Sequence, residues 1–444
     1  MFTKSFGGVG INEAESYFLI CKADAGLDSS AVLNISLPSL LHPFGVEAIH
    51  LIRRYPDNSA KALFRLTVVT HENIDDVISL FELSGLFDFI ERDFVSSGAS
   101  IAEEIAFVPD DPFVHKQWYI NNDGSFPNGL AKAGADIQLH KAWAIETGSE
   151  EVTVAILDSG IKPDHPEFAD RIWKNKAEAN DGADTDNNTY VDDLNGWNFV
   201  DNNNLIRDDN GHGTHVSSVI GSNGNNAIGF AGIDWKCKLM ICKVLDRNLN
   251  GFYSDWIEAI YYATDMQADV INMSFGGVEK SKALEEAVNY AFERNVMLVS
   301  SMQNDNEEIP YYPAAYSNVI AVGASNPDDT RSTSFINTIP GGSNYGNHID
   351  VIAPGNYIYG LGLRNNYYAN VYGGTSLATP VVSGILSLLF AHFPDLTNAQ
   401  IYAKLMKSCD DEVGKPTEDV PGWDKYHALA GLMLFVHFQK QILT

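Results

Sequence analysis

Three short segments of the chain carry residue types that could together perform nucleophilic acyl transfer. The apolar run VTVAIL ends in Asp158-Ser159-Gly160. Asn210-Gly211-His212-Gly213-Thr214-His215 sets a histidine between glycines just ahead of an apolar helical run. Gly373-Gly374-Thr375-Ser376-Leu377-Ala378-Thr379-Pro380 sets a serine ahead of VVSGILSLLF. A serine hydroxyl is inert at its own pKa, so an imidazole poised near neutrality must take its proton and a carboxylate must hold that imidazole in the right tautomer. Taken singly each signal is weak. An aspartate at a strand end is more often a cap, and a lone histidine is more often structural, the role expected of His165 and His215. Taken together the segments supply a hydroxyl, an imidazole and a carboxylate, the three groups that such chemistry needs.

Groups of this kind need a scaffold that brings strand ends and helix starts together. From residue 111 to 444 short apolar strands (VTVAILDSG, LMICKVL, VINMSFG, VMLVSS, VIAVGA) alternate with helical segments (SDWIEAIYYATDM, KALEEAVNYAFERN). That alternation predicts an α/β fold, a doubly wound parallel sheet covered on both faces. Functional groups then collect at the carboxyl ends of its strands and the N-termini of the following helices. Residues 1–96 read as a separate small α+β unit. SYFLICKA, VEAIHLIRRY, ALFRLTVVT and FDFIERDFV are its strands. NIDDVISLFEL is a helix with Ile74, Val77, Ile78 and Phe81 on one face and Asn73 as N-cap. With AVLNISLPSLL as a first helix, despite Pro38, the order is β-α-β-β-α-β, a ferredoxin-like arrangement. Residues 97–110 are polar and irregular and read as a linker.

Composition narrows the function classes. The 444 residues hold 58 acidic and 29 basic side chains, a formal net charge of −29. Phosphate backbones and anionic membrane surfaces repel such a chain, so neither nucleic acid nor membrane is an expected partner. The four cysteines, Cys21, Cys237, Cys242 and Cys409, form no CxxC pair, which argues against structural zinc. Cys237 and Cys242, five positions apart, should face opposite sides of a strand, and all four read as buried small hydrophobes. No signal peptide or long apolar span is recognisable, so the cytoplasm is the default compartment, with export by a route lacking an N-terminal signal still open.

DSG, HGTHV and GTSLATP, in that order, resemble the three signature segments of the subtilisin-like serine protease family, over roughly residues 108–435. The resemblance implies a serine endopeptidase acting on polypeptide substrates, with Ser376 as nucleophile, His212 as general base and acid, Asp158 as orienting carboxylate and no catalytic metal. It aligns VMLVSSMQNDN with the strand and loop that carry the oxyanion donor. Asn304 is then that donor and Asn306 a rival. Leu377 and Thr379 stand where the family usually has Met and Ser. Ser301-Met302-Gln303-Asn304 stands where it usually reads Ala-Ala-Gly-Asn, which puts bulk and polarity at the wall of the specificity pocket. Gln303 could fill that pocket, and Asp305 could favour polar or basic residues. Ser274, Phe275 and Gly276 match the segment that pairs with substrate backbone, against the alternative of an ordinary buried strand. The front unit resembles a propeptide, an intramolecular inhibitor and folding aid removed by self-cleavage between about Ser96 and Asp111. Other readings are a dedicated processing protease for one partner peptide, and a binding or regulatory protein on a catalytically silent protease scaffold.

Two loops suggest structural calcium. Asp184, Asp186, Asn188, Tyr190 (through its carbonyl) and Asp192 place oxygen ligands at alternate positions, although the central glycine and closing glutamate of calcium loops are absent and a solvated acidic turn is the alternative. By family resemblance a second site would take carboxylates from Asp111 and Glu167, the Asn226 side-chain oxygen and the carbonyls of Ile228 and Phe230. Such a cation would tie three distant segments together.

Overall fold

The computed structural model describes residues 15–24, 46–54, 61–70, 74–84, 87–93, 106–126, 130–336, 341–364, 371–410, 425–426 and 431–432. The chain divides into two compact units, Met1–Ala102 and Glu103–Thr444.

The described residues of the first unit form four strands, β1 (Glu15–Asp24), β2 (Val46–Arg54), β3 (Lys61–Thr70) and β4 (Phe87–Arg92), and one helix, α1 (Ile74–Leu83). The strands form an antiparallel sheet in the order β2-β3-β1-β4. That order is the ferredoxin-like one expected from the sequence. The helix buries Ile74, Val77 and Phe81, and the half-buried Ile78 packs on the same cluster as Leu19, Cys21, Phe64 and Leu66. The spacing i, i+3, i+4, i+7 therefore marks the covered face. Asn73 and the expected first helix lie outside the described residues.

The second unit is built on a parallel run of seven strands. In chain order these are β5 (Thr153–Asp158), β6 (Gly196–Asn198), β7 (Lys238–Lys243), β8 (Val270–Met273), β9 (Met297–Ser301), β10 (Ile320–Ser325) and β11 (Val351–Pro354). Their spatial order is β11-β10-β9-β8-β5-β7-β6. From β5 the chain runs to the edge strand β6, returns to place β7 beside β5, then crosses to β8 on the other side of β5 and continues outward to β11, so β5 is the strand at which the order reverses. Alternation along it fixes the two cores. Val154 and Ile156 belong to one buried cluster, Ala155 and Leu157 to the other. After a short helix, α2 (Leu139–Ala142), helices α3 (His212–Gly221) and α6 (Thr375–His392) fill the first face through residues such as Val216, Ile220, Val381 and Ile385. Helices α4 (Tyr253–Asp265) and α5 (Lys282–Glu293) fill the second through Trp256, Ile260, Leu284 and Val288. Each large side chain buried this way stabilises by roughly 1.5–3 kcal/mol. Helix α6 is long and apolar enough to cross a membrane by length and composition, yet 83% of it is buried inside this unit. Its apolar surface is taken up by the sheet.

Two features depart from the expectations. The C-terminal part of the stretch read as a linker is packed into the larger unit. Phe107 N donates to His140 O (2.7 Å), and the Phe107 ring lies 5.6 Å from Trp235. Asp110 Oδ1 accepts from Ala227 N (2.8 Å). Cys409 is only partly buried, while the other three cysteines are buried; all four are free. Cys237 and Cys242 do fall in opposite core clusters, as their odd spacing requires.

Candidate active site

Asp158 is the last residue of β5, at the reversal point of the sheet, and its side chain is fully buried. Its Oδ1 accepts from Ser159 N (2.7 Å) and from His212 Nδ1 (2.7 Å). Because the carboxylate can only accept, the proton sits on Nδ1 and Nε2 is left as a base. His212 opens α3, and two glycines let it sit there. Gly211 takes a left-handed φ of 108°. At Gly213 a β-carbon would come 2.2 Å from Gly160 O, so only glycine lets the helix start close on the turn after Asp158. The His212 side chain is 21% exposed. Burial pulls its pKa down, but the charge and hydrogen bond of Asp158, joined by the charge of Asp208, outweigh this and the net shift is upward.

Ser376 is the second residue of α6, where the helix dipole favours developing negative charge. Its Oγ donates to Ser274 O (3.2 Å), and Ser274 Oγ donates to Ser376 O (2.9 Å). The second bond has a sequence cause. Pro380 has no N–H to give the Ser376 carbonyl four residues back, and the Ser274 hydroxyl fills that position.

Asn304 follows β9. Its Oδ1 accepts from both Thr375 N (2.9 Å) and Thr375 Oγ1 (2.9 Å), which fixes the amide and turns Nδ2 away from Thr375. A methyl built on Gly374 would lie 3.6 Å from Asn304 Nδ2 and 3.7 Å from Ser376 N, so both donors border the same small space. Asn306, by contrast, is exposed, and its Oδ1 accepts from Arg331 Nη1 (2.8 Å). His212, Ser376, Asn304, Gly374 and Tyr372 line one cleft of about 590 Å³.

Ser274–Gly276 lies past the end of β8, outside the regular sheet. Phe275 points into the core, 4.4 Å from the Trp256 ring, so this segment can offer a ligand its backbone but not that side chain. Gln303 Nε2 donates to Ser301 Oγ (2.9 Å) and lies 3.1 Å from the position of a β-carbon on Gly276, spanning the gap between the exits of β8 and β9. Asp305 is exposed; burial first and Asp305 second push the Tyr311 hydroxyl up to about 12. His215 is buried beside the Tyr372 ring, and burial, then His212, pulls its pKa down to about 3. His165 accepts from Glu167 N and is pulled down to about 4 by burial and by Lys162.

The loop 184–193 is arranged differently from its sequence pattern. Asp184 accepts from Asn188 N and Thr189 N through its two oxygens, and Asp192 Oδ1 accepts from Asp181 N and Gly182 N. The Tyr190 hydroxyl donates to Glu258, and Asn188 Nδ2 donates to Asp186 and Asp193. The carboxylates that converge, with oxygens within 4.8 Å of one another, are Glu178, Asp186 and Asp193. Only Asp186 of these was in the expected ligand set. Glu178 precedes the acidic run and carries no spacing signal. Asp193 directly follows the expected Asp192, one step out of the alternation. Three clustered carboxylates with no ion pair among the described residues suit a hard cation.

In the other expected set, hydrogen bonds tie Asp111 and Glu167 to the loop 225–230. Glu167 is fully buried; its oxygens accept from Phe230 N (3.2 Å) and Asn226 Nδ2 (3.0 Å). Asp111 Oδ2 accepts from Asn225 N (2.6 Å), while its Oδ1 is buried with no hydrogen-bond partner among the described residues. Asn226 Oδ1 accepts from Ile228 N (3.0 Å). A buried carboxylate oxygen without a partner, on a residue bonded to the same loop as the buried Glu167, fits a bound cation.

Comparison with known proteins agrees with this architecture. A family model described as the Subtilase family matches residues 149–424. Thermitase of Thermoactinomyces vulgaris is 33% identical over 311 residues, 70% of this chain and 95% of thermitase. A thermophilic serine proteinase of Bacillus sp. (strain AK1) is 31% identical over 334 residues, 75% of this chain and 70% of that protein. Halolysin of Haloferax mediterranei is 35% identical over 277 residues, 62% of this chain and 48% of halolysin. With a doubly wound sheet and such relatives along most of its length, the chain belongs to the subtilase family and is a serine endopeptidase.

Proposed function

We propose that Ser376, His212 and Asp158 carry out peptide-bond hydrolysis, with Asn304 Nδ2 and Ser376 N holding the oxyanion. The observation that carries this reading is the 2.7 Å bond from His212 Nδ1 to a fully buried Asp158, at the mouth of the cleft that Ser376 and Asn304 also line. In this reading the Ser376 hydroxyl leaves Ser274 O, to which it donates at 3.2 Å, and bonds Nε2 instead. Oγ then attacks the scissile carbonyl as Nε2 takes the proton, and the new charge on oxygen meets two fixed donors. Asp158 holds and stabilises the imidazolium through the Nδ1 hydrogen bond. His212 returns the proton to the leaving amine, and water repeats the sequence on the acyl-enzyme. Ser274–Gly276 offers backbone groups to an extended substrate. A fluorophosphonate probe tests the assignment. It should label the wild type at Ser376 and leave Ser376→Ala unlabelled and inactive; labelling or activity retained in that variant would refute it.

The remaining roles belong to the same proposal. Asp111, Glu167, Asn226 and the carbonyls of Ile228 and Phe230 would hold one calcium ion, and Glu178, Asp186 and Asp193 a second. Their contribution is cross-linking of loops. The N-terminal unit acts as an intramolecular inhibitor and folding aid, a function in keeping with the slow folding of parallel sheets. Since residues from Phe107 onward are bonded into the larger unit, self-cleavage is expected before Phe107. Sequencing the new N-terminus after incubation checks this, and an intact, fully active chain would overturn it.

A further inference from the structure

The catalytic reading leaves a second buried acid unexplained. Asp208 is 5% exposed and pairs with no cation among the described residues. It nevertheless accepts five hydrogen bonds. Ser159 Oγ (2.9 Å), Asn210 N (2.9 Å) and Gly211 N (2.8 Å) donate to its Oδ1. Thr214 N (2.9 Å) and Thr214 Oγ1 (2.6 Å) donate to its Oδ2. One oxygen thus reaches the turn directly after Asp158 and the approach to His212. The other holds the first turn of α3 from its N-terminal end.

Ser159 is gripped from further directions. Its Oγ accepts from Gly213 N (2.9 Å), its N–H donates to Asp158 Oδ1, and its carbonyl accepts from Lys243 Nζ (2.7 Å). Lys243 is itself buried at the end of β7 and also donates to Asp209 Oδ1 (2.8 Å). Neighbouring acids 208 and 209 therefore fix the same residue, one through its hydroxyl and one through a lysine. A buried carboxylate satisfied by charge-assisted bonds on both sides of a joint resists displacement of either side.

We propose that Asp208 is the positioning residue of the site, a bridge that sets the Asp158–His212 geometry by joining the turn after β5 to the start of α3. This rests on the catalytic reading above. Its charge also bears on the imidazole, adding to that of Asp158. Among the described residues, the charged and titratable groups around His212 are Asp158 from β5, Asp208 from the preceding loop, His215 on the next turn of α3 and Arg364, which also lines the cleft.

The test compares three variants of the full chain by steady-state kinetics across pH, with thermal unfolding as the fold control. Asp208→Asn should lower kcat by about 100-fold, as for a misplaced catalytic group, with KM changed by less than about 3-fold. It should also move the acid limb of kcat/KM to lower pH. Removing a nearby negative charge makes the imidazolium less stable, so His212 stays in its neutral, active form further into acid. Ser159→Ala and Thr214→Val cut one strand of the bridge each and keep the charge. They should lower kcat by about 10-fold and leave the acid limb in place. A folded Asp208→Asn with unchanged kcat and acid limb overturns the proposal. If Asp208→Asn fails to fold, unchanged kcat in both other variants overturns it. Activity surviving in Ser376→Ala would instead sink the catalytic reading, so the two failures are distinguishable.

Discussion

Removing the amide of Asn304 is the sharpest test of its proposed role as oxyanion donor. The Thr375 N–H and hydroxyl, each 2.9 Å from Asn304 Oδ1, fix which end of the amide faces away from the helix. Only Nδ2 remains to meet an oxyanion, in the space it shares with Ser376 N. Asn304→Leu deletes that donor and leaves Ser376 N alone. A donor aimed at charge that develops only in the transition state acts on kcat and hardly on KM. The expected loss is about 10²–10³ in kcat, or roughly 2.7–4 kcal/mol, a magnitude taken from the corresponding donor of subtilisin rather than from these distances. The leucine also strands the two Thr375 donors, each worth about 1–3 kcal/mol if left unsatisfied, so unfolding must be followed in parallel. Thr375→Val separates the effects. It retains Nδ2 but frees one of the two anchors of Oδ1, so kcat should fall by only about 10-fold as the amide loses orientation. The assay is kcat and KM on a chromogenic peptide, with fluorophosphonate labelling to count intact sites. A folded Asn304→Leu enzyme within about 3-fold of wild-type kcat would refute the oxyanion role.

Two further outcomes follow from the same geometry. Chelating calcium should lower the melting temperature by several degrees, since a site held at 100 times its Kd contributes about 2.7 kcal/mol; Asp111→Asn and Glu178→Gln should each remove part of that response, and a melting curve indifferent to chelator would refute both sites. Gln303→Gly should open the gap between the exits of β8 and β9 and raise kcat/KM for a bulky aromatic residue before the scissile bond by about 10-fold relative to a small one. An unchanged preference on a peptide library would show that Gln303 does not wall that gap.

Periodicity and motif are local properties, and they determined a good deal. The alternation of apolar strands and amphipathic helices gave the doubly wound sheet, and the spacing of Ile74, Val77 and Phe81 gave the buried face of α1. Asp158 could be assigned to a strand end and Ser376 to a helix start because both flank long apolar runs. Only the tertiary structure decided what depends on groups meeting through space. Glu178 joins Asp186 and Asp193 because a loop folds back, which no alternate-residue rule anticipates. Residues 106–110 look like linker by composition, yet their backbone and the Asp110 side chain find partners at His140 and Ala227. The five bonds on Asp208 come from residues on two different segments, and Ser274 completes a carbonyl that Pro380 leaves open about a hundred residues away. Local sequence sets which face of each element is apolar. Which polar groups are satisfied, and by whom, is settled only when distant loops are brought within hydrogen-bonding reach.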